Sequence, residues 1–307
     1  MTQDKITPDW IAVDWGTSNM RAWAMTASGT VLATATSAKG MGQLDRDGFE
    51  PALLEVIGDW LHKPMPVIAC GMVGSRQGWV EAPYAPVPCP TLPEGLTRAS
   101  TSDPRLQVQV ISGIKQMDPA DVMRGEETQI TGFLARNPRW DGVICLPGTH
   151  TKWAHVSADE IVSFQTFMTG ELFATIAGHT VLRHSLGTEG WDDAAFDEAV
   201  ATAMARPERL AARLFSLRAE GLLSGLSPAA ARARLSGLLI GAELAGAKPY
   251  WLGQQIAVIG DGTLAGHYIK ALAAQGVAAT QVDATAATLA GLIAAYNRQK
   301  GSSWTAH

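Results

Sequence analysis

Ile11-Ala12-Val13-Asp14-Trp15-Gly16-Thr17-Ser18-Asn19-Met20-Arg21-Ala22-Trp23 is the stretch on which the reading of the whole chain turns. Trp10–Asp14 is a short apolar run that ends in a polar, glycine-led turn. Met20–Thr26 and Val31–Thr36, split by Ser28-Gly29-Thr30, continue as strands, so the three form a meander. Beyond the Gly40/Gly42 loop, Phe49, Leu53, Ile57 and Trp60/Leu61 recur at helical spacing. Lys63-Pro64-Met65-Pro66 closes that helix before strand Val67–Gly71, which gives the order βββαβ.

The βββα order returns from Gly142: strand Val143–Leu146, turn Pro147–His150, strand Lys152–Ser157, strand Ile161–Phe167 and helix Glu171–His184. Laying Val143–His155 under Ile11–Trp23 puts Gly148-Thr149 on Gly16-Thr17 and Ala154 on Ala22. Identity is slight, but shared strand order and turn position favour a duplicated domain whose two turns face each other. Downstream, Ser227-Pro228 caps helix Ala229–Ala245. Strand Ile256–Ile259, helix Leu264–Ala274, strand Val277–Val282 and helix Ala284–Arg298 then close the chain as βαβα. The class is α/β, with an N-terminal domain over 1–115 and a C-terminal domain over 116–307. The proline-rich stretch 78–104 reads as a substrate-facing insertion in the first domain.

Composition narrows the function. A chain of 307 residues is long enough for two cores, and 47% apolar with 17% charged residues is ordinary for a folded protein. A net charge of −5 argues against a dedicated nucleic-acid binder and for a small-metabolite partner. Cys70, Cys89 and Cys145 are odd in number and far apart, which suits a reducing cytoplasm better than a disulfide framework or a metal cluster. The first residues lack the basic-then-apolar order of an export signal. The longest apolar stretch, Leu235–Ala247, is interrupted by Glu243, so no membrane span is expected. The sequence carries no signal for or against an oligomer.

Gly16, Thr17, Ser18 and Asn19 offer the neutral backbone and hydroxyl donors that a polyphosphate needs at close range; an ordinary polar turn looks the same. Asp14, ending an apolar strand, is either a Mg²⁺ ligand or a carboxylate accepting turn N–H groups. Gly148, Thr149, His150 and Thr151 repeat the turn chemistry, and Lys152 adds a cation for transferring phosphate oxygens. His150, a lone histidine in a polar turn, reads equally as an ordinary hydrogen-bonding residue. Nothing matches a P-loop.

Gly125-Glu126-Glu127 opens a helix with the apolar stripe Ile130, Phe133 and Leu134. That stripe puts Glu126 inward, as a general base, and turns Glu127 partly away; both acids also suit a helix N-terminus. Arg76, Gln77 and Trp79 combine a cation, an amide and an aromatic ring suited to a hydroxylated substrate with a carboxylate, or form a solvated loop with a packed Trp. Gly260-Asp261-Gly262-Thr263-Leu264-Ala265 fits a dinucleotide fingerprint with Asp283 as the ribose acid. It lies too near the chain end for the rest of such a sheet, and a glycine loop on adenosine fits equally well.

In order, Asp14–Arg21, Gly125–Gln129, Leu146–Trp153 and Ile259–Ala265 resemble the phosphate, base, second phosphate and adenosine motifs of the sugar-kinase branch of the actin-like superfamily. More narrowly, Ser75–Tyr84, Met123–Gln129, Pro147–Trp153 and Met168–Phe173 are similar to the 2-dehydro-3-deoxygalactonokinase family. The resemblance implies two duplicated actin-like (ribonuclease-H-like) domains with an interdomain cleft, using ATP and Mg²⁺. It implies transfer of phosphate to the 6-hydroxyl of 2-dehydro-3-deoxy-D-galactonate, with Glu126 as base. Gly260, Asp261, Gly262 and Leu264 would lie at the adenosine, and Arg76, Gln77, Trp79 and Glu171 at the sugar acid. Two departures stand out: glycerol-kinase-like relatives carry Asp where this chain has Glu126, and often a small residue where it has Asp261. The alternatives are a kinase for another sugar or sugar acid, such as 2-dehydro-3-deoxygluconate, or an actin- or chaperone-like nucleotide-gated binding protein. An assembly protein would have no reason to carry Arg76, Gln77 and Glu126.

Overall fold

The structure is a computed structural model that describes residues 6–260 and 262–301. Strands β1 (Trp10–Trp15), β2 (Met20–Met25) and β3 (Val31–Ser37) pair antiparallel in sequence order, as the polar turns between them require. Helix α1 (Phe49–Ile57) then crosses over to β4 (Met65–Gly71), which lies parallel to β1. The proline-rich segment holds only short strands, β5 (Tyr84–Pro86), β6 (Cys89–Pro90) and β7 (Leu96–Arg98). Strands β8 (Leu106–Ile111), β9 (Gly113–Met117) and β10 (Ala120–Met123) lead into helix α2 (Glu126–Arg136). The main sheet runs β3-β2-β1-β4-β8-β7, and β10-β9-β5 forms a small second sheet.

Strand β1 is apolar on both faces because both are covered. Ile11, Val13 and Trp15 pack with Phe49, Leu53 and Ile57 of α1, whereas Trp10 and Ala12 point the other way, to Leu292, Ala295 and Tyr296 near the end of the chain. Trp10 stacks on Tyr296 at 4.4 Å and 6°. A helix therefore lies on each face of the sheet, and Asp14 shares the face of Trp10 and Ala12 by the same alternation.

The second block contains β11 (Gly142–Leu146), β12 (Thr151–Ser157), β13 (Glu160–Phe167) and α3 (Thr169–His179). The expected helix to His184 stops early: the Thr180 hydroxyl accepts Leu182 N–H and starts a separate 3₁₀ turn over Val181–His184. Helices α4 (Asp193–Ala205), α5 (Leu210–Leu223), α6 (Pro228–Gly246) and α7 (Lys248–Trp251) follow. Strand β14 (Ile256–Ile259), helix α8 (Gly262–Ala273), strand β15 (Ala279–Val282) and helix α9 (Ala284–Gly301) end the described chain. The strand order here is β15-β14-β11-β12-β13, with β11, β14 and β15 parallel. Helix α6 crosses α4 at two glycines: a Cβ on Gly237 would lie 2.5 Å from Phe196 O, and one on Gly241 2.6 Å from Val200 O.

The chain divides into two compact units. One runs to Trp140 and includes Val156–Ser163 and the segment from Asp283 onward; the other holds Asp141–His155 and Phe164–Val282. The division into 1–115 and 116–307 read from the sequence is corrected accordingly. Helix α2 and helix α9 belong to the first unit because they pack on each other there. A Cβ on Gly132 would stand 1.9 Å from Ala287 O, and one on Gly291 1.9 Å from Thr128 O, so both positions need glycine for the helices to approach this closely. No helix among the described residues is long and apolar enough to cross a membrane.

Candidate active site

In the first unit the β1–β2 turn closes on itself through Gly16 N–H to Asn19 O (2.9 Å) and is backed by the following loop. Met41 N–H donates to Gly16 O at 3.0 Å and Gly42 N–H to Thr17 O at 2.9 Å. A Cβ on Gly40 would sit 2.3 Å from both Ser18 C and Thr17 O, so only glycine lets this loop brace the turn. Thr17, Ser18 and Asn19 are exposed. Asp14, Gly16, Ser18, Asn19, Arg21 and Ser37 line a recess of about 600 Å³.

Asp14 lies opposite Arg21 in the ladder and forms a 2.7 Å ion pair with it; the other Arg21 nitrogen donates to Thr285 Oγ1 at 2.8 Å. The Cys70 thiol donates to Asp14 Oδ1 at 3.8 Å. A magnesium ion suits this place only as a passenger on nucleotide phosphates. Among the described residues no three His, Cys, Asp or Glu side chains gather as a ligand set, whereas magnesium sites commonly combine one or two carboxylates with substrate phosphates and waters. One hard carboxylate beside a turn of N–H and O–H donors meets that requirement.

Two glycines bring the candidate base turn to the same strand ends. Gly71 (φ +91°) has no room for a Cβ, which would lie 2.7 Å from Trp15 O, and a Cβ on Gly125 (φ +108°) would lie 3.3 Å from Gly71 Cα. At this contact α2 begins. Glu126 is half-buried, with Oε2 accepting Arg124 N–H at 3.0 Å. Glu127 is fully buried; Oε2 accepts Gly125 N–H at 2.7 Å and Oε1 accepts the Thr128 hydroxyl at 3.0 Å. The expected orientation of the pair is thus reversed, Glu127 facing inward with Ile130, Thr131 and Leu134. The apolar stripe is compatible with either acid, and the two local donors are what make burying Glu127 tolerable. Burial, then the neighbouring Glu126 carboxylate, pushes its pKa up to about 7. Of the two acids, Glu126 is the more exposed.

The Arg76 segment divides. Arg76 and Gln77 are exposed, and the Arg76 guanidinium stands 3.9 Å from Glu81 at the surface. Trp79, expected at the substrate, is instead a core residue. Its ring meets Trp15 edge-on and stacks with Phe49, both at 6.2 Å, because burying an indole outweighs presenting it on a loop.

In the second unit the turn between β11 and β12 lies against the N-terminus of α3. Glu171 N–H donates to Thr149 O at 3.0 Å, and a Cβ on Gly170 would stand 2.3 Å from Gly148 O. His150 Nε2 meets Glu171 Oε2 at 2.5 Å, with both side chains about half exposed. Two residues assigned separately to phosphate and to sugar acid are therefore each other's partners. Lys152 is buried on β12, its side chain carried inward from the turn. A Cβ on Gly260 would touch Ala265 and Pro147, which sets the start of the expected adenosine loop against the turn that begins at Pro147; Asp261 lies outside the described residues.

These segments enclose a cavity of about 420 Å³, within the usual range for small-ligand sites. Gly148, Thr149, Gly170, Arg232, Leu264 and His267 are among its walls. His267 stacks on Trp191 at 4.2 Å and 17°, and burial lowers its pKa. Arg232 sits over the Phe173 ring at 5.0 Å. Sequence reading missed Trp191, Arg232 and His267, since they come from three separate helical or loop segments with no shared motif.

Behind the cavity, Glu243 of α6 is buried in the apolar stretch that it interrupts. Its Oε1 accepts Trp153 Nε1–H at 2.8 Å and its Oε2 accepts the Tyr268 hydroxyl at 2.6 Å, with the Thr169 hydroxyl as a third donor. Burial raises its pKa to about 7. An unpartnered carboxylate here would cost several kcal/mol, which these donors offset.

Comparison with known proteins places the chain. A family model described as 2-keto-3-deoxy-galactonokinase matches residues 14–295. A Rhizobium meliloti (strain 1021) protein named probable 2-dehydro-3-deoxygalactonokinase is 42% identical over 92% of this chain and 95% of its own. The Escherichia coli (strain K12) 2-dehydro-3-deoxygalactonokinase is 34% identical over 94% and 97%. A crystal structure of a Sinorhizobium meliloti protein provisionally assigned to the same enzyme superposes with a TM-score of 0.88 at 39% identity, covering 97% of this chain and 98% of that one. A Clostridium difficile activator of 2-hydroxyisocaproyl-CoA dehydratase, solved with ADPNP, shares the fold at a TM-score of 0.50 and 13% identity, over 95% and 96% of the two chains. With its α/β units and its matches running almost end to end, the chain belongs to the 2-keto-3-deoxy-galactonokinase family.

Proposed function

We propose that this protein transfers the γ-phosphoryl group of ATP to the 6-hydroxyl of 2-dehydro-3-deoxy-D-galactonate, a step of galactonate breakdown in the cytoplasm. The observation that carries the proposal is the Glu126 carboxylate, half-exposed on a glycine-built turn beside the Asp14 strand in a chain of this family. Glu126 takes the proton as the 6-oxygen attacks the γ-phosphorus. The bond from that phosphorus to the β–γ bridging oxygen breaks, and ADP leaves. In the first unit the exposed Thr17, Ser18 and Asn19 offer donors to phosphate oxygens, in the second the exposed Thr149 with Gly148 beside it does the same, and the 420 Å³ cavity takes the adenosine, with Leu264 and His267 in its wall. Asp14 would hold Mg²⁺, which supplies neutralisation of phosphate charge. Arg76 and Gln77 remain the candidate surface contacts for the sugar acid. The chain is read as two copies of one actin-like domain: strand order 3-2-1 antiparallel with a parallel fourth in the first, and the βββα order repeated from Gly142, support this.

The test is Glu126→Gln. It keeps the acceptor for Arg124 N–H but removes the base, so kcat should fall by about 10²- to 10⁴-fold while ATP still binds. Full turnover in the variant would assign the proton to another group.

A further inference from the structure

Glu243 is the one charge in the Leu235–Ala247 stretch, and nothing in the proposed phosphoryl transfer uses it directly. Its carboxylate gathers donors from three other elements: Trp153 on β12, Thr169 at the start of α3 and Tyr268 on α8. Two of these lead to the Gly148–Thr151 turn from opposite ends. Thr169 precedes Gly170, which packs directly on Gly148 and Thr149, and Glu171 N–H holds Thr149 O. Tyr268 OH, besides donating to Glu243, stands 3.0 Å from Thr151 Oγ1, the residue that closes the turn. Thr169 and Tyr268 also line the 420 Å³ cavity.

We propose that Glu243 is the positioning residue of the nucleotide site, one buried carboxylate that fixes both ends of the Gly148–Thr151 turn and the cavity wall behind it. The proposal rests on ATP being the ligand of that cavity. Carboxylate is the suited group, since it accepts from all three donors at once; an amide nitrogen in place of Oε2 would donate to the Thr169 and Tyr268 hydroxyls instead, and each would have to send its own proton elsewhere. Loosening either end misplaces the Gly148 and Thr149 donors relative to phosphate without touching the nucleotide. Burial, which raises the carboxyl pKa to about 7, marks the same group as one held by its environment rather than by solvent.

The test uses the full-length protein and measures binding of a non-hydrolysable ATP analogue by calorimetry, together with steady-state kinetics for both substrates. In Glu243→Gln, the analogue Kd and the KM for ATP should rise by about tenfold, with the KM for the sugar acid unchanged. Thr169→Val and Tyr268→Phe each remove one link and keep the buried charge, and each should reproduce part of that rise even if Glu243→Gln fails to fold. A lowered Tm with unchanged nucleotide affinity in the folded variants would make Glu243 a structural residue only and overturn the proposal. If the wild-type protein binds no ATP analogue, the nucleotide assignment of the cavity is wrong, and this inference falls with it.

Discussion

Glu127→Gln should change how stability depends on pH. The side chain is fully buried and its pKa stands at about 7 against an ordinary 4.5, raised first by burial and then by Glu126. Between those values the folded protein keeps a proton that the unfolded chain releases. The stabilising contribution is thus complete below about pH 4.5 and is lost as pH rises through 7. That separation corresponds to a few kcal/mol, most of which falls between about pH 5 and pH 8. Glutamine keeps an acceptor for Gly125 N–H and carries no titrating proton. Urea denaturation of both proteins across that range should show the variant gaining on the wild type by this amount as pH rises. Glu243, with its own raised pKa, slopes both curves alike and cancels in the difference. Parallel curves would mean that Glu127 is ionised in the folded state across that range and that its burial is relieved by a partner other than Gly125 and Thr128.

Gly40→Ala places a methyl 2.3 Å from Thr17 O and Ser18 C, so the first turn must shift; the KM for ATP should rise several-fold in steady-state assays. Gly132→Ala forces α2 and α9 apart where a Cβ would meet Ala287 O at 1.9 Å, and should lower stability by about 1–3 kcal/mol, read as a fall in Tm. His150→Ala breaks a half-exposed pair with Glu171; it should change stability by less than about 1 kcal/mol in the same melts, while any effect on turnover reports on the turn itself.

The sequence carried the strand skeleton well because strand ends coincide with strong local signals. Gly16 and Gly148 lead polar turns after apolar runs, and Ser227-Pro228 marks the start of α6, where the serine hydroxyl accepts Ala230 N–H. What it did not carry is three-dimensional. Whether Glu126 or Glu127 faces inward depends on which acid finds Gly125 N–H and the Thr128 hydroxyl, and helical spacing allows both. Trp79 looks like a substrate contact next to Arg76, yet Trp15 and Phe49 claim it. Helix α9 packs in the first unit although it follows the whole of the second, a long-range pairing that local pattern cannot reveal. Gly40, Gly71 and Gly132 look ordinary until the backbone beside each is seen. Glu243 was visible as an anomaly, a lone charge in an apolar stretch, and its three buried donors explain it.

ADP release is the most direct measurement of the central claim: purified protein with ATP and Mg²⁺, over a panel of 2-dehydro-3-deoxy-D-galactonate, 2-dehydro-3-deoxygluconate and neutral sugars. A sugar-acid kinase of this family should release ADP in equal amount with the 6-phosphate of 2-dehydro-3-deoxy-D-galactonate, and Glu126→Gln should lose that activity. Release confined to neutral sugars, or independent of any acceptor, would contradict it.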